Sequence, residues 1–130
     1  MTEDHPVLVD SNVFIDQLRQ GLDPMSELLQ RYPLTDLVTC GVIKAEVLRG
    51  VKSLKARDRL AELFEVMRYV QTNDRLWDEA WELAWSLDRQ GRILPLTDLV
   101  IASCALKEGA KVLTSDRHFD HIPHLTVLRP

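Results

Sequence analysis

The residues able to do chemistry in this chain are four carboxylates, at chain positions that an α/β fold would gather at one end of its sheet. Asp10 ends the apolar run Val7-Leu8-Val9, and Asp116 lies just past Val112-Leu113-Thr114. Asp98 opens a helical stretch whose remainder, Leu99 to Leu106, is almost wholly apolar; Glu46 sits on a short helix after the strand-like Leu37-Val38-Thr39. In open α/β sheets, ligands bind outside the carboxyl ends of the strands. Four acids gathered there repel one another unless a cation neutralises them. Hard divalent ions are held by oxygen ligands and keep waters and phosphate oxygens around them. The pattern therefore reads as a metal site that works on phosphates. A divalent ion held by carboxylates polarises a phosphodiester and lowers the pKa of a bound water. Carboxylates suit Mg2+, with Mn2+ as the alternative, better than zinc or copper. Ser11, Thr97, Thr114 and Ser115 flank the acids and can orient carboxylates or hold metal-bound waters.

Each acid also has a plain structural reading. Asp10 can cap a helix, Asp98 can be a first-turn acid behind a Thr97 cap, Glu46 can be solvated, and Asp116 can belong to a turn. Taken singly, those readings are favoured. Taken together, the shared placement at strand ends and at the start of a buried helix favours one joint site.

The elements that must position these acids alternate. Val7 to Val9 is a continuous apolar run, as in a strand buried on both faces. Helices are expected at 12–20, stopped by Gly21; from Pro24 to about Arg31; at 42–49, closed by Gly50; and from Lys55 to about Val66, with Leu60, Leu63, Phe64 and Met67 on one face. Asn73 caps a helix to about Gln90, and Asp98 to Glu108 forms another before Gly109. Weaker strands are expected at 37–39 and 68–71, with further strands at 111–114 and 126–128. Such alternation implies parallel βαβ units, with right-handed crossovers setting the strand ends on a common edge.

At 130 residues the chain has the length of one domain, expected to span 1–130, and its 45% hydrophobic and 28% charged residues are enough for one core. The net charge of -4 argues against binding nucleic acid or membrane through the whole surface, but permits a local basic strip. Cys40 and Cys104 are too few for a disulfide scaffold; Cys104 reads as a buried reduced thiol, which fits the cytoplasm. The polar start Met1-Thr2-Glu3-Asp4 is unlike a signal peptide, and no apolar run is long enough to span a bilayer.

Arg49, Lys52, Lys55, Arg57 and Arg59 form a basic run directly after Glu46, read equally as a phosphate-binding strip or as a solvated helix face. Trp77, Trp81 and Trp85 recur every four residues on one helix; part of that stripe is expected in the core and part at a protein interface. His118, His121 and His124 are placed mostly on the surface of a turn, with RNA contact as the minor reading.

The segments Val7-Leu8-Val9-Asp10-Ser11-Asn12-Val13-Phe14-Ile15-Asp16, Ile43-Lys44-Ala45-Glu46-Val47-Leu48-Arg49-Gly50, Leu96-Thr97-Asp98-Leu99-Val100-Ile101-Ala102 and Val112-Leu113-Thr114-Ser115-Asp116-Arg117-His118-Phe119 together resemble PIN-domain ribonucleases, most closely the VapC-type toxins of toxin–antitoxin pairs. Each segment alone is weakly specific; the ordered set is strongly so. The resemblance implies a three-layer α/β/α sandwich with a mainly parallel central sheet. It implies that Asp10, Glu46, Asp98 and Asp116 form the family's acidic quartet, Asp10 and Asp98 being the strongest metal ligands. Asn12 and Thr114 are implied as supporting polar residues, and Ser11 stands where many relatives carry threonine. The implied activity is Mg2+-dependent endoribonuclease action on RNA, restrained by a cognate antitoxin, in a homodimer or larger hetero-oligomer. Two other readings compete. A non-catalytic RNA-binding or scaffold domain would use the acids structurally. An aspartate-based phosphotransfer domain is disfavoured, because Asn12 stands where a second aspartate is needed and Lys111 precedes its strand instead of following it.

Overall fold

The computed structural model describes residues 5–130. The polar start read as unlike a signal peptide, residues 1–4, lies outside the described residues. The elements run β1 (Val7–Val9), α1 (Ser11–Arg19), α2 (Pro24–Arg31), β2 (Leu37–Cys40), α3 (Gly41–Gly50), α4 (Leu54–Val66), β3 (Arg68–Val70), α5 (Asp74–Arg89), α6 (Leu96–Glu108), β4 (Lys111–Leu113) and β5 (Val127–Leu128), with short 3₁₀ turns at Leu34–Asp36 and Arg117–His121.

All five strands pair in parallel, in the order β3-β2-β1-β4-β5. The chain steps outward from β1 to β2 to β3, then returns across the sheet to β4 on the far side of β1. Right-handed crossovers set α1 to α4 on one face and α5 and α6 on the other. The packing agrees: α1 meets α3, α3 meets α4 and α2 meets α4, while α5 lies on α6. This is the α/β/α sandwich expected, with a sheet that is wholly parallel. Its direction reverses between β1 and β4, and a crevice opens at such a switch point beyond the strand ends. The backbone N–H of Asp10 still pairs with Leu113 O at 3.0 Å, so the first acid enters that crevice on a backbone held by the neighbouring strand.

Covered on both faces, the strands must be apolar throughout; Leu8, Val9, Leu37, Val38, Val112 and Leu113 have no exposed surface. Residues 99–105 of α6 are all buried, which is why that helix shows no polar face; its one buried hydroxyl, Ser103, donates to Leu99 O at 2.8 Å. Phe14 and Phe64, with ring centroids 5.2 Å apart, join α1 to α4. Gly109 ends α6 at φ 63°, a conformation disfavoured for residues with a Cβ, and so turns the chain into β4.

The apolar band of α5 divides as expected: Leu76, Ala80 and Leu87 are buried, and Leu83 and Ala84 pack against the core, whereas Trp77, Trp81 and Trp85 are 43%, 54% and 57% exposed. Trp81 donates to Asp78, and the Arg89 guanidinium stacks on Trp85. Thr97 does not cap α6, because Pro95 holds the N-cap position and the helix begins at Leu96. His118, His121 and His124 are exposed, as expected of a surface turn, but the His118 ring also contacts two of the acids. Cys40 and Cys104 are both buried free thiols. Among the described residues, no helix is long and apolar enough to cross a membrane.

Candidate active site

Asp10 is 4% exposed and caps α1, its Oδ1 accepting the Ser11 N–H at 2.8 Å. Its Oδ2 accepts the Thr114 hydroxyl at 2.8 Å and the Asn12 amide at 3.1 Å. Asn12 also donates to Thr114 Oγ1 at 3.0 Å. Thr114 Oγ1 in turn accepts the Asp116 N–H at 2.9 Å. One hydroxyl at the end of β4, 104 positions from Asp10, thus ties the acid after β1 to the acid after β4.

Asp116 caps the 3₁₀ turn Arg117–His121, its Oδ1 accepting the His118 N–H at 2.9 Å. That turn folds the His118 ring back over the acids. Its Nδ1 lies 2.9 Å from Asp98 Oδ2 and 3.2 Å from Asp116 Oδ1. Asp98, Asp116 and His118 each offer one donor atom, all within 4.8 Å of one another. The turn is clasped from behind by Arg129. Its Nη1 donates to Thr114 O at 2.9 Å and Asp116 O at 3.2 Å, and its Nη2 donates to Asp120 Oδ1.

Glu46, on α3, completes the group. Its Oε1 is buried with no hydrogen-bond partner among the described residues, although Ser11 lowers the carboxyl as a hydrogen-bond donor. Such an atom is costly to bury unless something meets it.

The electrostatics describe one crowded anionic pocket. Burial pushes Asp10 from 3.8 up to about 6, against the pull of the Thr114 and Ser11 hydrogen bonds, and repulsion from Asp98 and Glu46 adds to it. Burial also raises Glu46, with Asp98 repelling it and Ser11 and Arg49 holding it down. Asp98 is raised by burial and by Asp116, against the His118 hydrogen bond. The same bond to Asp98 raises His118. Each of Asp10, Glu46 and Asp116 repels Asp98, which makes Asp98 the centre of the cluster.

Of the four acids expected from the sequence, Asp98 and Asp116 stand with His118 close enough to share one ion, whereas Asp10 and Glu46 lie outside that group and feel Asp98 electrostatically; Asn12 and Thr114 bridge Asp10 toward Asp116. Thr97 is exposed and hydrogen-bonds to none of them. The basic run is divided. Arg59 is held 2.6 Å from Asp23 at the start of α2, and Arg57 turns to Asp58, whereas Arg49 acts electrostatically on Glu46. His118 is the residue that sequence reasoning underrated. The available signal was Asp116 two positions before it, a spacing at which an aspartate can cap a turn and fold the ring back.

Known proteins resemble this chain in sequence and in fold. The PIN domain family model matches residues 7–125. Ribonuclease VapC21 of Mycobacterium tuberculosis is 33% identical over 113 residues, covering 84% of this chain and 77% of the relative. Among solved structures, VapBC2 of Rickettsia felis bound to a promoter DNA fragment superposes with a TM-score of 0.77 at 21% identity, covering 95% of this chain and 98% of that one. VapBC-5 of Mycobacterium tuberculosis superposes with a TM-score of 0.62 at 26% identity, covering 98% of each chain. The fold, the strand-end crevice and these matches lead to one conclusion: the chain belongs to the PIN-domain family and resembles its VapC-type ribonucleases.

Proposed function

We propose that this chain is a divalent-metal-dependent endoribonuclease and the toxin of a toxin–antitoxin pair. The observation that carries the reading is the buried Glu46 Oε1 without a partner, in a pocket where Asp10, Asp98 and Asp116 also converge. A cluster of carboxylates in which Asp10, Glu46 and Asp98 are raised, with one orphaned buried oxygen, fits a hard divalent cation, Mg2+ or Mn2+. Asp10 and Asp98 are assigned as its principal ligands, with Glu46 and Asp116 beside them. When bound, the ion supplies charge stabilisation at the scissile phosphate and acidifies a water.

The chain's own residues do the rest. Thr114 and Asn12 fix the Asp10 carboxylate in one rotamer by donating to the same oxygen. Ser11 holds Asp10 from the helix side and also bonds Glu46, so it couples two acids. Glu46 is assigned to accept a proton from the attacking water, a role that its raised pKa suits. Arg49, Lys52 and Lys55 are assigned to the flanking phosphates; Arg57 and Arg59 join them only if they leave Asp58 and Asp23.

The partner assignment follows from the relatives, which were solved as VapBC complexes. An antitoxin that seats an arginine among these acids would neutralise them and exclude the ion. Its cover, or a second copy of this chain, also has exposed apolar side chains to meet, Leu22 and Leu29 among them. The reaction is assigned to the cytoplasm.

The test is cleavage of a structured RNA by purified protein in Mg2+, Mn2+ and EDTA. Cleavage is expected with either ion, none in EDTA, and none by Asp98→Asn with its circular dichroism unchanged. Full cleavage by Asp98→Asn, or in EDTA, overturns the reading. RNA binding without cleavage in any ion would establish the scaffold alternative.

A further inference from the structure

We propose that His118 is a nitrogen ligand of the ion in this site and that it biases the site toward Mn2+ over Mg2+. The inference rests on the metal site proposed above and adds a ligand of a different chemical class to it.

The geometry carries the argument. For donors about 2.1 Å from one ion, neighbouring donors stand about 3.0 Å apart and opposite ones about 4.2 Å apart. Nδ1 of His118 lies 2.9 Å from Asp98 Oδ2 and 3.2 Å from Asp116 Oδ1, the spacing of neighbouring donors. All three donor atoms fall within 4.8 Å, about the span of donors on opposite sides of one ion. Binding exchanges the proton between Nδ1 and Asp98 for the ion, and that proton leaves to solvent.

The ring does not reach this position by chance of rotamer. Asp116 accepts the His118 N–H and so sets the backbone of the turn. Phe119, the next residue, is fully buried and anchors the turn to the core. Arg129 grips the carbonyls of Thr114 and Asp116 and the carboxylate of Asp120. Fixed from three sides, the turn presents the imidazole to the acids as a built element of the site.

The chemical consequence concerns which ion is preferred. A site of oxygen donors alone suits Mg2+. Imidazole suits the later first-row transition ions best; Mn2+ stands lowest in that affinity order, but as a transition ion it accepts a nitrogen donor more readily than Mg2+ does. Replacing one oxygen donor by Nδ1 therefore strengthens Mn2+ binding and adds little for Mg2+.

The experiment is Mn2+ titration of the purified chain followed by electron paramagnetic resonance, with Mg2+ as competitor, on wild type, His118→Gln and His118→Ala. Wild type is expected to show electron-spin-echo modulation from a directly bound 14N nucleus. Both variants are expected to lose that modulation and to bind Mn2+ at least about tenfold more weakly, as loss of a ligand or its support does. Their Mg2+ affinity is expected to hold or rise. Because His118 is half-exposed, both variants should fold, which circular dichroism checks. A wild-type Mn2+ complex without 14N modulation, or an unchanged Mn2+ to Mg2+ affinity ratio in the variants, overturns the ligand role and leaves the carboxylate site intact. Failure of the wild type to bind either ion overturns the carboxylate site itself, and this proposal with it.

Discussion

Removing the charge of Asp10 should make the metal-free protein more stable, even as it abolishes function. Asp10 is 4% exposed and its carboxyl is raised from 3.8 to about 6 by burial and by Asp98 and Glu46. A folded-state pKa above the unfolded one favours the protonated native acid, so the native state loses stability as pH rises from 3.8 through about 6. At about 1.4 kcal/mol per pH unit, that rise amounts to roughly 3 kcal/mol above pH 7. Asp10→Asn removes the term but not all the geometry. The new carbonyl can still accept the Ser11 N–H, while its NH2 meets both donors to Oδ2, the Asn12 amide and the Thr114 hydroxyl; the hydroxyl can rotate away, which leaves a mismatch of about 1 to 2 kcal/mol. The net gain expected at pH 8 in EDTA is therefore about 1 to 2 kcal/mol, shrinking as pH falls toward 4. Denaturant unfolding of both proteins at pH 4.5, 6 and 8 (about the limits set by the two pKa values) reads the difference directly. Added Mg2+ should then stabilise wild type and leave Asp10→Asn unmoved. A variant less stable than wild type at pH 8 in EDTA, or a stability difference that ignores pH, would refute the reasoning, because burial of a charged carboxylate would not be the dominant cost.

Metal affinity of the wild type should fall as pH drops through about 6, since Asp10, Glu46 and Asp98 all hold protons more tightly than ordinary carboxylates; Mn2+ titration at several pH values measures it. Arg129→Ala should lower stability by about 1 kcal/mol, given its half-exposed side chain, and weaken Mn2+ binding by loosening the turn that carries Asp116 and His118; Arg129→Lys, which keeps charge without the fork, should recover only part of both. Lys52→Glu with Lys55→Glu should weaken RNA affinity and flatten its salt dependence while Mn2+ binding persists, as read from affinity against salt; an unchanged slope would place the RNA path elsewhere. Reversal at Arg59 should instead act through loss of its ion pair with Asp23, and so appear in unfolding curves before it appears in RNA binding.

Much of the candidate site was legible from the chain alone, for a local reason. An apolar triplet followed by an acid, as at Val7 to Asp10, marks both a buried strand and a polar residue at its end, and both are properties of neighbouring residues. The seven buried residues 99–105 likewise announce a helix enclosed by protein, with Asp98 at its mouth. Helix stops were legible at glycines with φ above 60°, such as Gly21 and Gly109. The α5 stripe was legible as amphipathic, but a band that broad has two flanks, and only packing against α6 chose Leu76, Ala80 and Leu87 over the tryptophans.

What the sequence determined by itself, then, is the alternation of buried strands and helices, the acids at their ends, and the family resemblance those segments carry. The tertiary structure decided the strand order, because pairing between β1 and β4 joins segments a hundred residues apart and leaves no local trace. It also decided the partners that follow from that order. Thr114 reaches Asp10 only because β4 lies beside β1. His118 reaches Asp98 only because α6 crosses back over the sheet before β4 begins, which sets its first turn against the 3₁₀ turn beyond that strand. Spacing along the chain places a histidine on a turn; the neighbour its ring meets is set by long-range packing.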